Sequence, residues 1–251
     1  MIFNFTYILK NVIYFKEMIK IKKKNFFLII LIGIIIILLL LIFIPTKTNS
    51  TDIGNYTIIR DDDLAIKFAP IIYTNNEFEI PKKLYYRAAF DEHKNYHIAY
   101  HILWDREINK TKGFIPFLNK CLYTNGLKIQ SLMYGKGDIE VIEVILDKNK
   151  SPKTLTYETC KNYNPKDFSV EHSKVSIDKP INLPFKFEVI SWNHLFNYIS
   201  NDRSNDNFKK VALKPEYFTE ELWDNFEMFK IKETFFKKNR AHFIYERQCY
   251  K

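Results

Sequence analysis

The sequence predicts a mainly β, β-sandwich-like domain with one or two peripheral helices near its C-terminus, preceded by a single transmembrane helix. Three observations support this fold class. Residues 26–44 form an uncharged apolar run, several later segments alternate apolar and polar residues with the period of a strand, and the period becomes helical after residue 218. Apolar residues make up 47% of the 251-residue chain and aromatic residues 16%, which excludes a disordered chain and provides ample material for a core.

The first predicted element is a membrane anchor. The run from Phe26 to Ile44 contains nineteen residues without a charge. A helix of that length spans about 28 Å, close to the ~30 Å hydrocarbon core of a bilayer. A cleaved signal peptide has a shorter apolar region followed by small residues, whereas Pro45 follows this run. We therefore predict an uncleaved signal anchor, and the compact basic and apolar stretch after Met18 favours translation from Met18.

The charges that flank the anchor predict its orientation. Four lysines stand directly before the run and only Lys47 follows it closely, so the positive-inside rule places the N-terminus in the cytoplasm. Residues 1–25 hold +5 of the net charge of +9, so the rest of the chain is only weakly basic and a nucleic-acid partner is not predicted. The predicted organisation is a cytoplasmic basic segment at 1–25, the anchor at 26–44, a polar stalk at 45–57 and one extracytoplasmic β-rich domain at 58–251.

The β-rich domain is predicted from alternating segments. Strand-like alternation occurs at 64–68 with its continuation to 73, and at 96–104, 127–134, 139–146, 154–159 and 185–190. The turn residues at 147–150 predict that the strands on either side of them form a hairpin with a loop longer than two residues.

The C-terminal part changes to helical spacing. Thr219 is a predicted N-cap with two acidic residues directly after it. The apolar residues that recur at helical intervals are Leu222, Phe226 and Phe229. This helix is expected to pack on the sheet, with docking to a partner or a membrane surface as the alternative.

A further helix is predicted after the strand at 185–190. Ser191 would be its N-cap, and the segment 191–196 would then contribute aromatic residues to the core. A Ser, an Asn and a His lie close together in this segment, so a catalytic role is the alternative interpretation.

The motif before the strand at 139–146 carries the clearest candidate site. Two glycines flank a lysine, and Asp138 and Glu140 then point to the same face of a strand. Two carboxylates on one face can hold a hard cation such as Ca²⁺ or Mg²⁺, or act as an acid–base pair. His101, on a neighbouring predicted strand, is the candidate third ligand. A turn followed by a solvent-facing strand edge is the alternative.

Three short blocks resemble a known family. Residues 67–73, 98–104 and 137–144 occur in the order found in the plant and fungal family related to vacuolar protein sorting protein 62. The third block also resembles an element of the necrosis-inducing proteins of plant pathogens. In those β-sandwich proteins, acidic and histidine side chains help to hold a metal ion at a membrane-facing surface. The resemblance implies a β-sandwich here and a metal role for Asp138 and Glu140, although Ile139 stands where the family has Trp.

The cysteines and the absence of known catalytic motifs limit the reactions that the sequence predicts. Cys121, Cys160 and Cys249 all follow the anchor, where an oxidising compartment would permit one disulfide, with Cys121 and Cys160 as the candidate pair. The sequence contains no G-x-S-x-G, H-E-x-x-H, C-x-x-C or P-loop motif, which weakens hydrolase, zinc-protease, redox and NTPase functions.

The predicted function is therefore a binding or structural module rather than an enzyme. A single-pass anchor would display it at the cell surface or in another extracytoplasmic space, where its aromatic residues would contact a glycan, a lipid or another protein. The alternative is a metal-dependent extracytoplasmic enzyme or binder that uses Asp138 and Glu140 with a divalent cation.

Overall fold

The computed structural model describes eight segments of the chain. They are residues 25–40, 45–48, 56–121, 137–168, 170–179, 183–202, 207–226 and 232–234. The chain divides into a smaller unit, Met1–Thr48 with Lys232–Lys237, and a larger unit, Asn49–Ile231 with Lys238–Lys251.

The described residues of the smaller unit form one helix and a pair of strands. The helix, α1, covers residues 25–40, and strand β1 (Pro45–Thr48) pairs antiparallel with the last strand, β13 (Lys232–Thr234). All large apolar side chains of α1 are exposed, between 44% and 70%. Among the described residues, no helix combines the length and the apolarity needed to cross a membrane. Residues 41–44 of the predicted anchor lie outside the described residues.

The larger unit is mainly β and contains two sheets, which confirms the mainly β part of the predicted fold class. The seven-stranded sheet has the order β12-β4-β5-β6-β7-β8, with β2 also paired to β4. Its strands are β2 (Thr57–Ile59), β4 (Lys83–Phe90), β5 (Tyr96–Trp104), β6 (Asp138–Leu146), β7 (Pro152–Cys160), β8 (His172–Asp178) and β12 (Glu216–Tyr217). Strands β4 to β8 run antiparallel, whereas β12 is parallel to β4.

The second sheet has four strands in the order β10-β9-β3-β11. These are β3 (Ile71–Asn75), β9 (Lys186–Val189), β10 (Phe196–Ile199) and β11 (Phe208–Ala212). Three short helices accompany the sheets among the described residues: α2 (Asp62–Lys67), α3 (Phe114–Asn119) and α4 (Glu220–Asn225).

The main hydrophobic core lies between the two sheets. Tyr100 and Ile142 are cross-strand partners on the inner face of the larger sheet and are fully buried. Their cluster also contains Phe187 from the smaller sheet, whose ring lies 5.2 Å from that of Tyr157. Both sheets therefore bury their apolar faces against one shared core.

The outer face of the larger sheet is also covered. One cluster packs Phe218 and Trp223 against Tyr85, and another packs Tyr56 and Ile58 against small residues of β4 and β5. Strand β6 is accordingly buried on both faces along almost its whole length, its three acidic residues included.

Most of the strand predictions that fall on described residues are confirmed. Strand β5 matches the predicted 96–104, and β3, β6, β7 and β9 overlap the predictions at 71–73, 139–146, 154–159 and 185–190. The predicted hairpin between β6 and β7 is present. Its turn is closed by the Asp147 carboxylate, which accepts hydrogen bonds from the backbone N–H groups of Asn149 and Ser151. The predicted strand at 127–134 lies outside the described residues.

The strand prediction at 64–68 is wrong, because these residues belong to helix α2 and its C-cap. The Asp61 carboxylate caps the helix by accepting from the Leu64 N–H at 2.9 Å, and two more aspartates stand in the first turn. Leu64 and Phe68, four residues apart, share the buried side. A stretch this short fits both the strand period and the helix period. The Asp61 cap favours the helix.

The two helix predictions in the C-terminal half have different outcomes. Helix α4 begins after Thr219, whose hydroxyl accepts from the Leu222 N–H at 3.3 Å, which confirms the predicted N-cap; Phe229 lies outside the described residues. The helix predicted after Ser191 is wrong, since strand β10 follows. The Ser191 hydroxyl instead accepts from the Leu195 N–H at 3.1 Å and closes a tight loop.

Candidate functional site

The loop at 190–195, between β9 and β10, positions the central side chains of the candidate site. Its ends are joined by a backbone hydrogen bond from Ile190 N–H to Leu195 O at 2.9 Å, and the His194 N–H donates to Ser191 O at 3.1 Å. His194 has a φ of +62°, a left-handed conformation that is unfavourable for a non-glycine residue. Strained backbone of this kind persists where the surrounding contacts fix it, and it often marks a functional position.

His194 meets Asp138 in the interior. The His194 Nδ1 atom lies 2.5 Å from Asp138 Oδ2, and both residues are buried. Trp104, the cross-strand partner of Asp138, stacks on the His194 ring with centroids 4.5 Å apart and planes only 4° from parallel. The Trp104 indole N–H donates to the backbone carbonyl of Glu79 at 3.2 Å, so the group is connected to the chain segment at 77–80.

The Asp138–His194 pair has the geometry that orients an imidazole in acid–base arrangements. A carboxylate on Nδ1 fixes the tautomer and the orientation of an imidazole and leaves Nε2 for proton transfer or for a ligand. His194 Nε2 is buried and has no hydrogen-bond partner among the described residues. The nearby Ser191 hydroxyl donates its proton to Asn193 Oδ1 at 2.6 Å and not to His194.

A second polar chain runs from the same loop to β7 and β8. The Asn193 amide Nδ2 lies 3.1 Å from His172 Nε2, and His172 Nδ1 lies 2.8 Å from Glu158 Oε2. Since an amide nitrogen donates, Nε2 accepts and Nδ1 donates to the carboxylate. Cys160 is the cross-strand partner of His172, but burial raises the pKa of its thiol and its neighbour is the Ser191 hydroxyl. The cysteine is therefore not activated as a nucleophile.

The structure separates the predicted metal ligands. Asp138 and Glu140 share the inner face of β6, as predicted, but they are only 9% and 8% exposed rather than solvent-facing. His101 pairs with Val141, so it lies on the opposite face of the sheet, and its ring packs edge-on against Trp223 at 5.4 Å. In the described segments, no group of three or more His, Cys, Asp or Glu residues is arranged to hold a metal ion.

The candidate disulfide between Cys121 and Cys160 is not formed. Both cysteines are free and half-buried, and the Cys160 thiol interacts with Ser191 at the end of β7. Cys249 lies outside the described residues.

An aromatic groove opens next to the loop at 190–195. Its cavity of about 360 Å³ is lined by Glu77, Phe78, Asn109, Lys110, Thr111, Tyr163, Pro165 and Trp192. A second hollow of about 240 Å³ shares Phe78 and Lys110 with it. Together they are within the size range of small-molecule sites. We call the first cavity the aromatic groove.

The walls of the aromatic groove are held by internal contacts. The backbone N–H of Trp192 donates to the Tyr163 hydroxyl oxygen at 3.3 Å, and the rings of Phe78 and Tyr163 meet edge to face at 6.4 Å. The Asn109 amide donates to Pro165 O at 2.6 Å, which ties two lining segments together. Burial raises the pKa of Tyr163 to about 12, so its hydroxyl remains protonated at neutral pH.

Comparisons with protein-family models, with curated proteins and with solved structures found no match to this chain. The resemblance carried by residues 67–73, 98–104 and 137–144 therefore stays a prediction.

Sequence patterns identified Asp138 as a candidate metal ligand, and they indicated His194 only through the alternative catalytic interpretation of the segment 191–196. His194 stands 56 positions away in the chain, and the only local signal was its place beside a Ser and an Asn. No sequence signal indicated Phe78 or Tyr163 as lining residues, because the groove is assembled from four separate segments.

Proposed function

We propose that this chain is a single-pass membrane protein in which α1 anchors a β-sandwich-like domain, and that this domain binds a carbohydrate in the aromatic groove. The resulting role is that of an extracytoplasmic binding module. The observation that carries the proposal is the aromatic groove itself, whose lining combines aromatic rings with polar and charged groups.

The proposed membrane anchor is supported by the apolar run in the sequence and by the exposed apolar side chains of α1. A helix that is apolar on every side is stable where its surroundings are also apolar, which is the situation inside a bilayer. The described part of α1 exposes side chains such as Phe27, Ile32 and Leu39 on all sides. The basic residues before the run give the orientation, with the domain outside.

The β-sandwich-like arrangement is supported by the two sheets and their shared core. Rings from both sheets meet there, as in the contact between Trp104 and Phe196 at 6.0 Å. The edges and turns of such a domain provide positions for a binding site.

The chemistry of the aromatic groove fits a carbohydrate. Sugar rings present apolar C–H faces together with hydroxyl groups. The partly exposed Phe78 and Tyr163 supply apolar ring faces, while Glu77 and Lys110 supply an acceptor and a donor for hydroxyl groups. Binding is favoured over catalysis because the Ser191 hydroxyl and the Cys160 thiol are engaged within the protein.

The proposal is tested by titrating the purified full chain, in detergent, with a panel of neutral and amino sugars and their oligosaccharides while recording tryptophan fluorescence. We expect saturable binding by one sugar class, and an affinity at least about tenfold weaker in Tyr163→Ala, because the loss of one stacked ring costs about 1.4 kcal/mol or more. The matched control is Phe117→Ala, since Phe117 is 62% exposed and lies outside the groove. Equal weakening in both variants, or no saturable binding by any sugar, would refute the proposal.

A further inference from the structure

Arg87 is a buried cation on the outer face of the larger sheet. It is only 2% exposed, and it stands at a junction on the edge of β4. Strand β2 pairs with β4 at 88–90, while β12 pairs with β4 at 85–86. Residue 87 lies between the two pairings, so one edge strand ends on each side of the arginine.

Two aromatic rings lie next to the guanidinium of Arg87. Its guanidinium carbon lies 4.6 Å from the Trp223 ring centroid and 5.8 Å from that of Tyr217. Its cross-strand neighbour is Ala99, which offers no polar group. Cation–π contacts with the two rings compensate part of the charge.

Three buried donors in this place have no acceptor. Arg87 Nε and Nη1 and the Trp223 indole Nε1 are all buried without a hydrogen-bond partner in the described part of the chain. Buried polar groups are nearly always paired, and an unpaired buried charge is particularly unfavourable. All three groups are donors, so the missing partner is an acceptor, and an anionic acceptor would also balance the remaining guanidinium charge.

We propose that Arg87 and Trp223 form an oxyanion-binding site between the outer face of the larger sheet and the segment at 217–223. The ligand is a group with two or more anionic oxygens, such as a phosphate, a sulfate or a carboxylate. The unpaired Nε–H and Nη1–H groups lie on different edges of the guanidinium and would each donate to an anionic oxygen, and the indole N–H provides a third donor. Arg87 and Trp223 do not line the aromatic groove, so this site is independent of the proposed carbohydrate binding.

The test is the thermal unfolding of the full chain in detergent, at constant ionic strength, with increasing phosphate, sulfate or acetate against a chloride reference. An anion that binds only the folded state must raise the midpoint, by roughly 5–10 °C at a hundredfold excess over Kd. The three anions distinguish a tetrahedral from a planar ligand. We expect the rise to disappear in Arg87→Met and to persist in the control Arg106→Met, which removes an exposed arginine.

A second variant, and a second measurement made without an anion, distinguish loss of the binding site from loss of the fold. Trp223→Phe retains the ring and removes one donor, so we expect binding several-fold weaker than in the wild type. Without an anion, Arg87→Met should unfold at a temperature no lower than the wild type, because it removes an unpaired buried charge. The proposal is overturned if no oxyanion raises the wild-type midpoint, or if Arg87→Met keeps the full rise.

Discussion

Asp138 and His194 link the two sheets through one buried hydrogen bond, with Trp104 stacked on the imidazole. Removing the carboxylate leaves a buried ring nitrogen without its partner. We expect Asp138→Ala to lower the free energy of unfolding by about 2–3 kcal/mol, whereas Asp63→Ala, at an exposed position in the first turn of α2, should lower it by less than about 1 kcal/mol. Urea denaturation of the full chain measures both values. Equal, small changes would contradict the structural importance of the pair.

His97 predicts a pH dependence of stability. Its Nδ1 atom lies 3.1 Å from Glu143 and its Nε2 atom lies 3.3 Å from Asp91, with the Tyr56 ring against its face. Burial is the largest single influence and opposes protonation, but the two carboxylates outweigh it and raise the pKa of His97 above 6.5. The charged imidazole therefore stabilises the fold fully below pH 6.5, and this stabilisation is lost as the pH rises through the raised pKa.

The measurement for His97 is the stability difference between the wild type and His97→Gln as a function of pH. We expect the difference to be largest near pH 6 and to shrink steadily as the pH rises above the unfolded-state pKa of 6.5. A difference that is constant with pH, or that grows, would show that the imidazole is not charged between its two carboxylates.

At the level of elements, the turn between β4 and β5 contains a strained backbone conformation that a glycine would relieve. The Asp91 carboxylate accepts from the Asn95 N–H at 2.8 Å, and Lys94, inside this turn, has a φ of +61°. We expect Lys94→Gly to raise the free energy of unfolding by up to about 1 kcal/mol, because glycine adopts this conformation without a steric penalty. Lys148→Gly, in the next hairpin and with no positive φ, should lower it instead. The same sign for both variants would contradict this account.

The elements show where sequence patterns are sufficient. Strand β5 alternates regularly, and its predicted bounds agree with the structure. Helix α2 was missed because residues 64–68 fit both periods and the Asp61 cap decides the outcome. The loop at 190–195 was misassigned because the Ser191 hydroxyl can cap a helix or close a loop equally well. Only the next strand, paired with β9, settles that choice.

At the scale of the whole molecule, the sequence predicted the candidate anchor and the mainly β fold but not the sites. The aromatic groove joins Phe78, Asn109, Tyr163 and Trp192, which are far apart in the chain. No local period encodes such an assembly. His101 illustrates the same limit. The strand pattern placed it on a strand next to Asp138, but the pairing register puts its side chain on the opposite face of the sheet from the Asp138 carboxylate.

The central claim is that an apolar helix holds a ligand-binding β-rich domain at a membrane. Alkaline carbonate extraction of membranes from cells that express the full chain tests it most directly. We expect the wild type to stay in the membrane pellet. The double variant Ile35→Lys with Leu38→Lys should move to the supernatant, because each lysine at the helix centre costs about 2.5–3.5 kcal/mol of insertion free energy. The control Ile35→Leu should remain in the pellet, and recovery of the wild type in the supernatant would contradict the claim.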